Sequence, residues 1–396
     1  MIYLGMFFLV IAIFGIYWTI LGAATVGVVY SIVSLNFLRR KKTINNDKRI
    51  SFEVLIAAYN EQVNLPYTLE SLSQLNLDNN NLDFKVYVGL DHCTDGTLDI
   101  VKKYLGLNRF PLQYFENEGE RGKWFIIKQL ILKSNADWVA LTDCGAVWNQ
   151  NILKECFEKF RDEDLICLAP SYLPDQAGFL ETSYWRMEQF LRILENGSRG
   201  SIMVHGPTVF YRRSALLLAI DLLGNKHWIN DDVAIPLVLR NYNDKFRIEY
   251  YASLEHKAWV RDRGVVSDVN IELKRRRRIL IGNIQCALEI IIPKFHPFNL
   301  ISLTSSRLVS KLLWAYWLTF FILGMLFTSI AYIKEIGFFF ADHLEMLASL
   351  ITVVLFGIIM SIKSNYVHRL FMAYISGLQI HKAAKALENP KKIVWS

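Results

Sequence analysis

The sequence has 396 residues, of which 53% are hydrophobic and 20% are charged, so the chain is more apolar than soluble globular proteins usually are. The length allows one domain of roughly 250 residues together with membrane segments. The formal net charge of +7 comes from basic clusters beside apolar segments, which favours an anionic membrane face or phosphorylated ligands as partners. No nucleic-acid-binding motif of the usual kinds is present.

The N-terminal segment 1–38 has no charged side chain. A helix of this length exceeds the ~30 Å hydrocarbon core of a bilayer. The sequence therefore predicts an N-terminal transmembrane segment, either one long tilted helix or two short helices bent around Gly15 to Gly22. A cleaved signal peptide is disfavoured, because no basic region precedes the apolar run and the run is too long.

A soluble domain is predicted over 50–290. Short apolar, β-branched runs alternate there with amphipathic stretches, which is typical of a parallel sheet with helices on both faces. The predicted strands are Phe52–Ala57, Phe84–Leu90, Leu112–Phe115, Trp138–Thr142 and Arg247–Ala252, and the predicted helices are Val63–Leu75, Thr97–Leu105 and Lys123–Ser134.

Polar side chains follow three of these strands where each strand ends: Asn60 and Glu61, then Asp91, then Asp143. Any one of them alone is more typical of a turn or cap. Because ligands bind at the carboxyl ends of parallel strands, the convergence of all four predicts a ligand site at this edge.

The cysteines form no CxxC pair and their number is odd. This argues against a disulfide framework or a zinc site and fits a reducing cytosol. The five are Cys93, Cys144, Cys156, Cys167 and Cys286.

Apolar residues return near the C-terminus, where the sequence predicts a transmembrane hairpin over 312–362. The preceding segment 295–311, which carries Arg307, predicts an amphipathic helix on the membrane surface, with a plain connector as the alternative. The segment 363–396 remains as a tail. Basic residues flank these segments, and the positive-inside rule places both the central domain and the tail in the cytoplasm. The two apolar spans are Leu312–Ile333 and Leu344–Ile362.

Six short motifs follow one another along the soluble domain. They are Ala57 to Glu61, Asp91 to Thr97, Arg121 to Lys123, Thr142 to Gly145, Asn230 to Asp232, and Arg275 to Arg278. In this order they resemble the membrane-integrated family-2 glycosyltransferases, the branch that includes cellulose, hyaluronan and poly-N-acetylglucosamine synthases. The resemblance implies an α/β fold: a GT-A (Rossmann-like) nucleotide-sugar-binding domain with flanking transmembrane helices.

The resemblance also implies roles for individual residues. Tyr59, Glu61 and Asp91 would hold the base and ribose of the donor. Lys123 and Arg278 would lie near the diphosphate, whose departure needs positive charge. Asp143 is the expected ligand of Mg²⁺ or Mn²⁺, and Asp232 matches the general base that takes the proton of the acceptor hydroxyl.

On the acceptor side, the candidate residues are Gly206, Trp228 and Arg275. Gly206 lies in a glycine-centred turn and permits close backbone approach. Trp228, like Tyr184 and Trp185, can stack on a sugar or pack in the core. Arg275 shares a helical face with Arg278.

Two positions depart from the family pattern. The Asp-x-Asp motif reads Asp143-Cys144-Gly145, so metal binding would rely more on the diphosphate, water or another side chain. The Gln-x-x-Arg-Trp motif keeps Arg278 but lacks its Gln and Trp, with Ile279 at the last position. That loss argues against long-chain processive synthesis.

These features predict an inverting glycosyltransferase that moves a sugar from a nucleotide-sugar to a glycan or lipid-linked acceptor. A UDP-sugar is the preferred donor class and a GDP-sugar is the second. The expected setting is the cytoplasmic face of a bacterial inner membrane, in cell-surface polysaccharide or glycolipid synthesis. Membrane lipid and subunits of a synthesis or export complex are the other expected partners, and nucleic acid is not. The alternative, motivated by the two departures, is a catalytically impaired structural or regulatory membrane subunit that retains the fold.

Overall fold

The computed structural model describes residues 1–33, 49–77, 82–175, 179–243, 245–251, 258–263, 269–291 and 303–336, with isolated positions between 374 and 387. The predicted span Leu344–Ile362 lies outside these residues, and so does almost all of the predicted tail 363–396. The predicted surface helix 295–311 is described from residue 303 onward.

The described residues form ten β-strands and ten α-helices. The strands are β1 (Ile50–Ala58), β2 (Leu82–Leu90), β3 (Leu112–Glu116), β4 (Trp138–Thr142), β5 (Ala146–Trp148), β6 (Leu165–Ala169), β7 (Ser171–Pro174), β8 (Thr208–Arg212), β9 (Arg247–Tyr250) and β10 (Trp259–Asp262). The helices are α1 (Ile2–Val33), α2 (Leu65–Ser73), α3 (Thr97–Leu107), α4 (Lys123–Lys133), α5 (Ile152–Phe160), α6 (Phe179–Glu195), α7 (Arg213–Leu223), α8 (Asp231–Tyr242), α9 (Val269–Cys286) and α10 (Ser310–Ile336). Two π-helical turns, Ala287–Ile291 and Ser305–Val309, follow α9 and precede α10.

The main sheet has seven strands in the order β3-β2-β1-β4-β8-β6-β9, and β5, β10 and β7 form a smaller sheet. The first four strands are parallel, as the alternation of apolar runs predicts. The prediction of a wholly parallel sheet is wrong, because β8 runs antiparallel to both β4 and β6. The chain reaches β8 through a loop at the carboxyl edge of the sheet, so this strand must start where its neighbour β4 ends.

Alternate residues of β1 face opposite sides of the sheet, as strand geometry requires. Phe52 belongs to the core cluster on one side, where its ring lies 5.2 Å from that of Phe160 in α5. Leu55 belongs to the core on the other side, with residues of α4, α7 and α8. Both faces of β1 are therefore buried, which holds its carboxyl end at a fixed place between two helical layers.

Of the two N-terminal alternatives, the structure has one long helix, α1, and not two short ones. It packs along α10 through glycines: a side chain at Gly15 would meet the Trp317 ring, and one at Gly324 would meet Leu9. Among the described residues, Ile2–Ile32 and Leu312–Ala331 are helical, long and apolar enough to cross a membrane. The predicted span Leu312–Ile333 lies within α10.

The described part of segment 295–311 differs from a membrane-surface helix. Arg307 is 0% exposed and forms ion pairs with Glu188 and Glu195 of α6. Its charge therefore faces the protein, where two carboxylates of the central domain balance it.

Candidate active site

A cavity of about 370 Å³ opens at the carboxyl edge of the main sheet, between the loops after β1 and β4, the start of α8, and α9. Motifs that lie far apart in the sequence meet there. The predicted residues that line it are Tyr59, Glu61, Lys123, Asp143, Gly206, Trp228, Asp232, Arg275 and Arg278.

The loop after β1 is tied to the loop after β2. Asn60 has a left-handed backbone with a φ of 54°, and its Oδ1 accepts a hydrogen bond from the Thr94 amide at 2.8 Å. The Glu61 amide donates to Thr97 Oγ1 at 2.7 Å. These bonds hold Tyr59 at the cavity wall, where the guanidinium of Arg121 lies 4.0 Å from the centre of its ring.

Asp91 lies beneath the cavity and is 0% exposed. Its carboxylate accepts hydrogen bonds from the Gly122 amide and from Asn117 Nδ2, each at 2.9 Å. Gly122 has a φ of +143°, a conformation open to glycine. In this structure Asp91 therefore shapes the turn that leads into Lys123, at a distance from the cavity surface.

Lys123, the first residue of α4, is the central cation of the cavity. Its Nζ lies 2.9 Å from Asp143 Oδ1 and 3.5 Å from Asp231 Oδ1. Burial alone would lower the pKa of Lys123, but the negative charges of Asp143, Asp231 and Asp232 raise it above its usual value. Lys123 is therefore positively charged at any physiological pH.

The turn after β4 explains the altered Asp-x-Asp motif. Gly145 has a φ of +91°, where a side chain would be strained, and its amide donates to Thr68 Oγ1 at 2.9 Å. A carboxylate at position 145 would therefore cost backbone strain. Asp143 remains, with its side chain 43% exposed toward the cavity.

Asp232 lies in the first turn of α8, against Gly206. A Cβ atom at position 206 would come within 2.5 Å of Asp232 Oδ2, so only glycine leaves room for this carboxylate. Burial, followed by the charge of Asp231, raises the pKa of Asp232 to about 7, although Lys123 opposes the shift. A carboxyl that titrates near neutral pH suits a general base.

Helix α9 presents Arg275 and Arg278 to the cavity, while Arg277 is exposed and does not line it. Ile279, which replaces the family tryptophan, is also at the cavity wall.

The predicted aromatic residues contribute less surface than expected. Trp228 lines the cavity but is only 5% exposed, and its Nε1 donates to the Leu223 carbonyl at 3.1 Å. Trp185 is not among the cavity-lining residues and packs edge-on against Tyr172, with ring centres 4.7 Å apart. Trp228 is held as a core residue with one edge at the site, and Trp185 belongs to a neighbouring aromatic cluster.

Sequence reasoning missed Asp262, which also lines the cavity. Asp262 ends β10 and pairs with Ala146 of β5, and the next amide, of Arg263, donates to the Gly145 carbonyl at 3.1 Å. The smaller sheet thus brings Asp262 beside the turn that holds Asp143. Its strand has only four residues, two of them charged, so no apolar alternation indicated it.

The oxygen ligands of the cavity fit a hard divalent cation. Glu61, Asp143 and Asp262 all line the cavity. Burial raises the pKa of Glu61 to about 7. A hydrogen bond from Asn64 opposes this rise, and the charges of Asp143 and Asp262 add to it. Burial raises the pKa of the Cys144 thiol well above its usual value. Within the described residues no three His, Cys, Asp or Glu side chains form a ready-made metal site, so donor phosphates and water would have to complete the coordination.

Comparison with known proteins agrees with this geometry. Residues 53–217 match the family model described as glycosyl transferase family 2. The structure is similar to that of the mannosyltransferase PcManGT from Pyrobaculum calidifontis, solved with GDP-Man and Mn²⁺, at 15% identity and a TM-score of 0.62, covering 94% of this chain and 98% of that one. No curated protein sequence matches the chain.

Two further solved structures match the chain with TM-scores below 0.5. TarS 1–349 from S. aureus has 18% identity and a TM-score of 0.42, covering 69% of this chain and 81% of that one. Glucosyl-3-phosphoglycerate synthase from Mycobacterium tuberculosis has 12% identity and a TM-score of 0.41, covering 60% and 80%.

Residues 53–217 therefore resemble a glycosyltransferase family 2 domain, and the chain has an α/β fold of GT-A type with a mixed sheet. This resemblance supports glycosyltransferase activity.

Proposed function

We propose that this protein is an inverting glycosyltransferase that moves a sugar from a UDP-sugar to a glycan or lipid-linked acceptor at the cytoplasmic face of a membrane. The observation that carries the proposal is the meeting, in one cavity, of two cations, Lys123 and Arg278, with the metal candidate Asp143 and the base candidate Asp232. A GDP-sugar is the second donor class, because the mannosyltransferase that shares the fold binds GDP-Man.

The acidic and basic side chains of the cavity have different roles in the proposed reaction. Asp232 takes the proton of the acceptor hydroxyl while that oxygen attacks the anomeric carbon, and the bond from this carbon to the diphosphate breaks on the opposite face. Lys123 and Arg278 stabilise the negative charge that the leaving diphosphate gains. A bound Mg²⁺ or Mn²⁺, held by Asp143 and Asp262, would neutralise further charge on the phosphates.

The membrane setting is part of the proposal. Two helices with the composition of membrane spans pack on each other, and α1 also contacts α6 of the central domain. Placing α1 and α10 in a bilayer would hold the central domain at the membrane surface, in keeping with cell-surface polysaccharide or glycolipid synthesis.

The test is nucleotide release by the purified full-length protein in lipid nanodiscs. Each UDP- and GDP-sugar of a panel is supplied with Mn²⁺ or Mg²⁺ and with membrane lipid extract as acceptor, and mass spectrometry identifies the product. We expect release and a glycosylated product for wild type, and a loss of both in Asp232→Asn. Absence of release from every donor, or equal release by Asp232→Asn, would favour the alternative of a catalytically impaired membrane subunit.

A further inference from the structure

Four charged side chains form a buried cluster between the central domain and the membrane helices. Glu188, Arg192 and Glu195 come from α6, and Arg307 comes from the π-helical turn before α10; they are 6%, 3%, 0% and 0% exposed. Arg307 Nη1 lies 3.0 Å from Glu188 Oε1, and Arg307 Nε lies 2.5 Å from Glu195 Oε1. Because two positive and two negative charges balance, the cluster is neutral, which is the condition under which such groups can be buried.

On one side, the turn that carries Arg307 is bonded to α1. Ser306 Oγ donates to the Trp18 carbonyl at 2.6 Å and accepts from the Ala23 amide at 2.9 Å. Trp18 Nε1 donates to Ser305 Oγ at 2.9 Å. Arg307 is therefore fixed to the helix pair α1 and α10 rather than to the central domain alone.

On the other side, the cluster is hydrogen-bonded to the loop 201–206. Arg192 Nε lies 3.0 Å from Glu188 Oε1, the same oxygen that Arg307 approaches. Arg192 Nη1 donates to Ser201 Oγ and to the Met203 carbonyl, each at 2.7 Å. One carboxylate oxygen thus links the arginine of the membrane-helix turn to the arginine that holds the loop.

The loop 201–206 in turn holds the base candidate. The Val204 amide donates to the Asp232 carbonyl at 3.1 Å, and Gly206 lies directly against the Asp232 carboxylate. A shift of the loop would therefore move the floor on which this carboxylate rests.

We propose that Arg192 and Arg307 are positioning residues for Asp232, and that they link the packing of α1 and α10 to the alignment of the base with the acceptor hydroxyl. Neither arginine is among the residues that line the cavity, so both act through the loop 201–206. This inference rests on the proposed function of Asp232. It assigns to the turn that carries Arg307 an effect on turnover and none on donor binding, because the bonds of the cluster lead to the loop 201–206 and from this loop to Asp232.

The test uses two double variants that keep the buried charge balanced, Arg307→Met/Glu195→Gln and Arg192→Met/Glu188→Gln. We expect kcat to fall about 10- to 100-fold, as small misplacements of a catalytic group do, with the donor KM and the Kd for UDP changed less than about twofold. Hydrogen exchange of the peptide that covers residues 201–206 should become faster in both variants. The control is Arg109→Met/Glu70→Gln, which removes an ion pair of 3.1 Å between α2 and the segment before β3 and should leave all three quantities unchanged.

A single uncharged variant covers the case in which a double variant does not fold. Ser201→Ala removes one acceptor of Arg192 from the loop and no charge, and should lower kcat several-fold, as the loss of one buried hydrogen bond does. Unchanged kcat and unchanged exchange at 201–206 in folded variants would overturn the proposal, and so would a rise in donor KM at constant kcat. Failure of the proposed function would be recognised separately, because wild type would then transfer no sugar while the exchange measurement still reports whether the cluster holds the loop.

Discussion

At the scale of single residues, the two carboxyls with raised pKa values occupy different parts of one cavity. Glu61 lies at the donor loop after β1, and Asp232 lies at the start of α8. Lys123 ion-pairs with Asp143 and Asp231. Burial and the charge of Asp231 outweigh the opposing charge of Lys123 and leave Asp232 with enough proton affinity to accept a proton from a hydroxyl.

The raised pKa of Asp232 predicts a pH profile. The base must be deprotonated to act, and its pKa lies at about 7, so the reactive form is lost as the pH falls through this value. We expect kcat/KM for transfer to decrease roughly tenfold per pH unit below about 7 and to level above it. The measurement is the initial rate of nucleotide release between pH 5 and pH 9.

Two variants test whether Asp232 causes the acidic limb of this profile, which is the decrease in kcat/KM below about pH 7. Asp232→Asn should lower kcat about 10²- to 10⁴-fold and remove the limb from whatever rate remains. Asp221→Asn, at an exposed position of α7, should retain the wild-type profile. A limb that survives in Asp232→Asn would assign the titration to another group.

Gly206 is predicted to be irreplaceable for steric reasons. In Gly206→Ala the added methyl group would clash with Asp232 Oδ2 and displace the carboxylate, so we expect kcat to fall about 10- to 100-fold. The control is Gly106→Ala in α3, where the added methyl group meets nothing within 4 Å. Activity assays and thermal unfolding of both variants separate the local clash from a general loss of stability, and wild-type kcat in Gly206→Ala would contradict the placement of the base.

Asp262 is predicted to bind the metal ion in place of the carboxylate that is missing at position 145. Removing one of two carboxylate ligands weakens a hard cation site, so Asp262→Asn should raise the Kd for Mn²⁺ in the presence of UDP about tenfold or more. Electron paramagnetic resonance of free Mn²⁺ measures this binding without catalysis. Asp99→Asn, in the first turn of α3, is the control for loss of one negative charge, and equal Mn²⁺ binding in all three proteins would rule out Asp262 as a ligand.

At the scale of elements, α9 offers a matched pair of arginines. Arg278 lines the cavity and Arg277 does not. If Arg278 binds the diphosphate, Arg278→Met should raise the donor KM about 10- to 100-fold, the cost of a lost charge-assisted hydrogen bond. Arg277→Met should leave the donor KM unchanged. Steady-state kinetics with the donor varied decide this, and equal effects of both changes would indicate a non-specific charge effect of the helix.

Local patterns predicted the elements that carry their own periodicity. The strands β1, β2 and β4 and the helix α4 follow from apolar alternation, and the motif order indicated that Lys123, Asp143 and Asp232 would lie together. What failed depends on long-range partners. The direction of β8 is set by the loop that precedes it, and Asp262 reaches the cavity through a pairing between β5 and β10 that no local pattern encodes.

The expectation of a membrane-surface helix over 295–311 did not anticipate the contacts of Arg307, for a related reason. An amphipathic pattern states that one face is polar, but it does not say whether that face meets lipid headgroups, water or a buried carboxylate. Glu188 and Glu195 lie more than a hundred residues earlier in the chain, so the partner became visible only in the fold.

At the scale of the whole molecule, the central domain and the helix pair α1 and α10 are one packed unit. Gly15 lies against Trp317, and Gly27 lies against Leu194 and Glu195 of α6. Ala23 of α1 belongs to the same buried cluster as residues of the main sheet. Helix α1 is therefore a part of the fold as well as a candidate membrane span.

This packing predicts that bulk at the helix contact destabilises the whole protein. Gly15→Leu would place a side chain where the Trp317 ring lies, and overpacking of this kind costs about 1–3 kcal/mol, which corresponds to a decrease in Tm of about 2–12 °C. Val10→Leu, at a position 67% exposed, is the control and should leave Tm unchanged. Thermal unfolding in the same detergent measures both, and an unchanged Tm in Gly15→Leu would show that α1 does not pack as described.

The glycine contact between α1 and α10 has a consequence for biosynthesis. The partner of α1 begins at Ser310, so a ribosome working at about 5–20 residues per second needs roughly 14–55 s after α1 is complete to reach its first residue. During that interval the contact surface of α1 stays uncovered while the sheet forms, and Arg307 is still absent from its two glutamates. The final placement of the loop 201–206 is therefore a late event of assembly, and a nascent chain released before Arg307 would carry every strand of the main sheet while its base is not yet fixed in place.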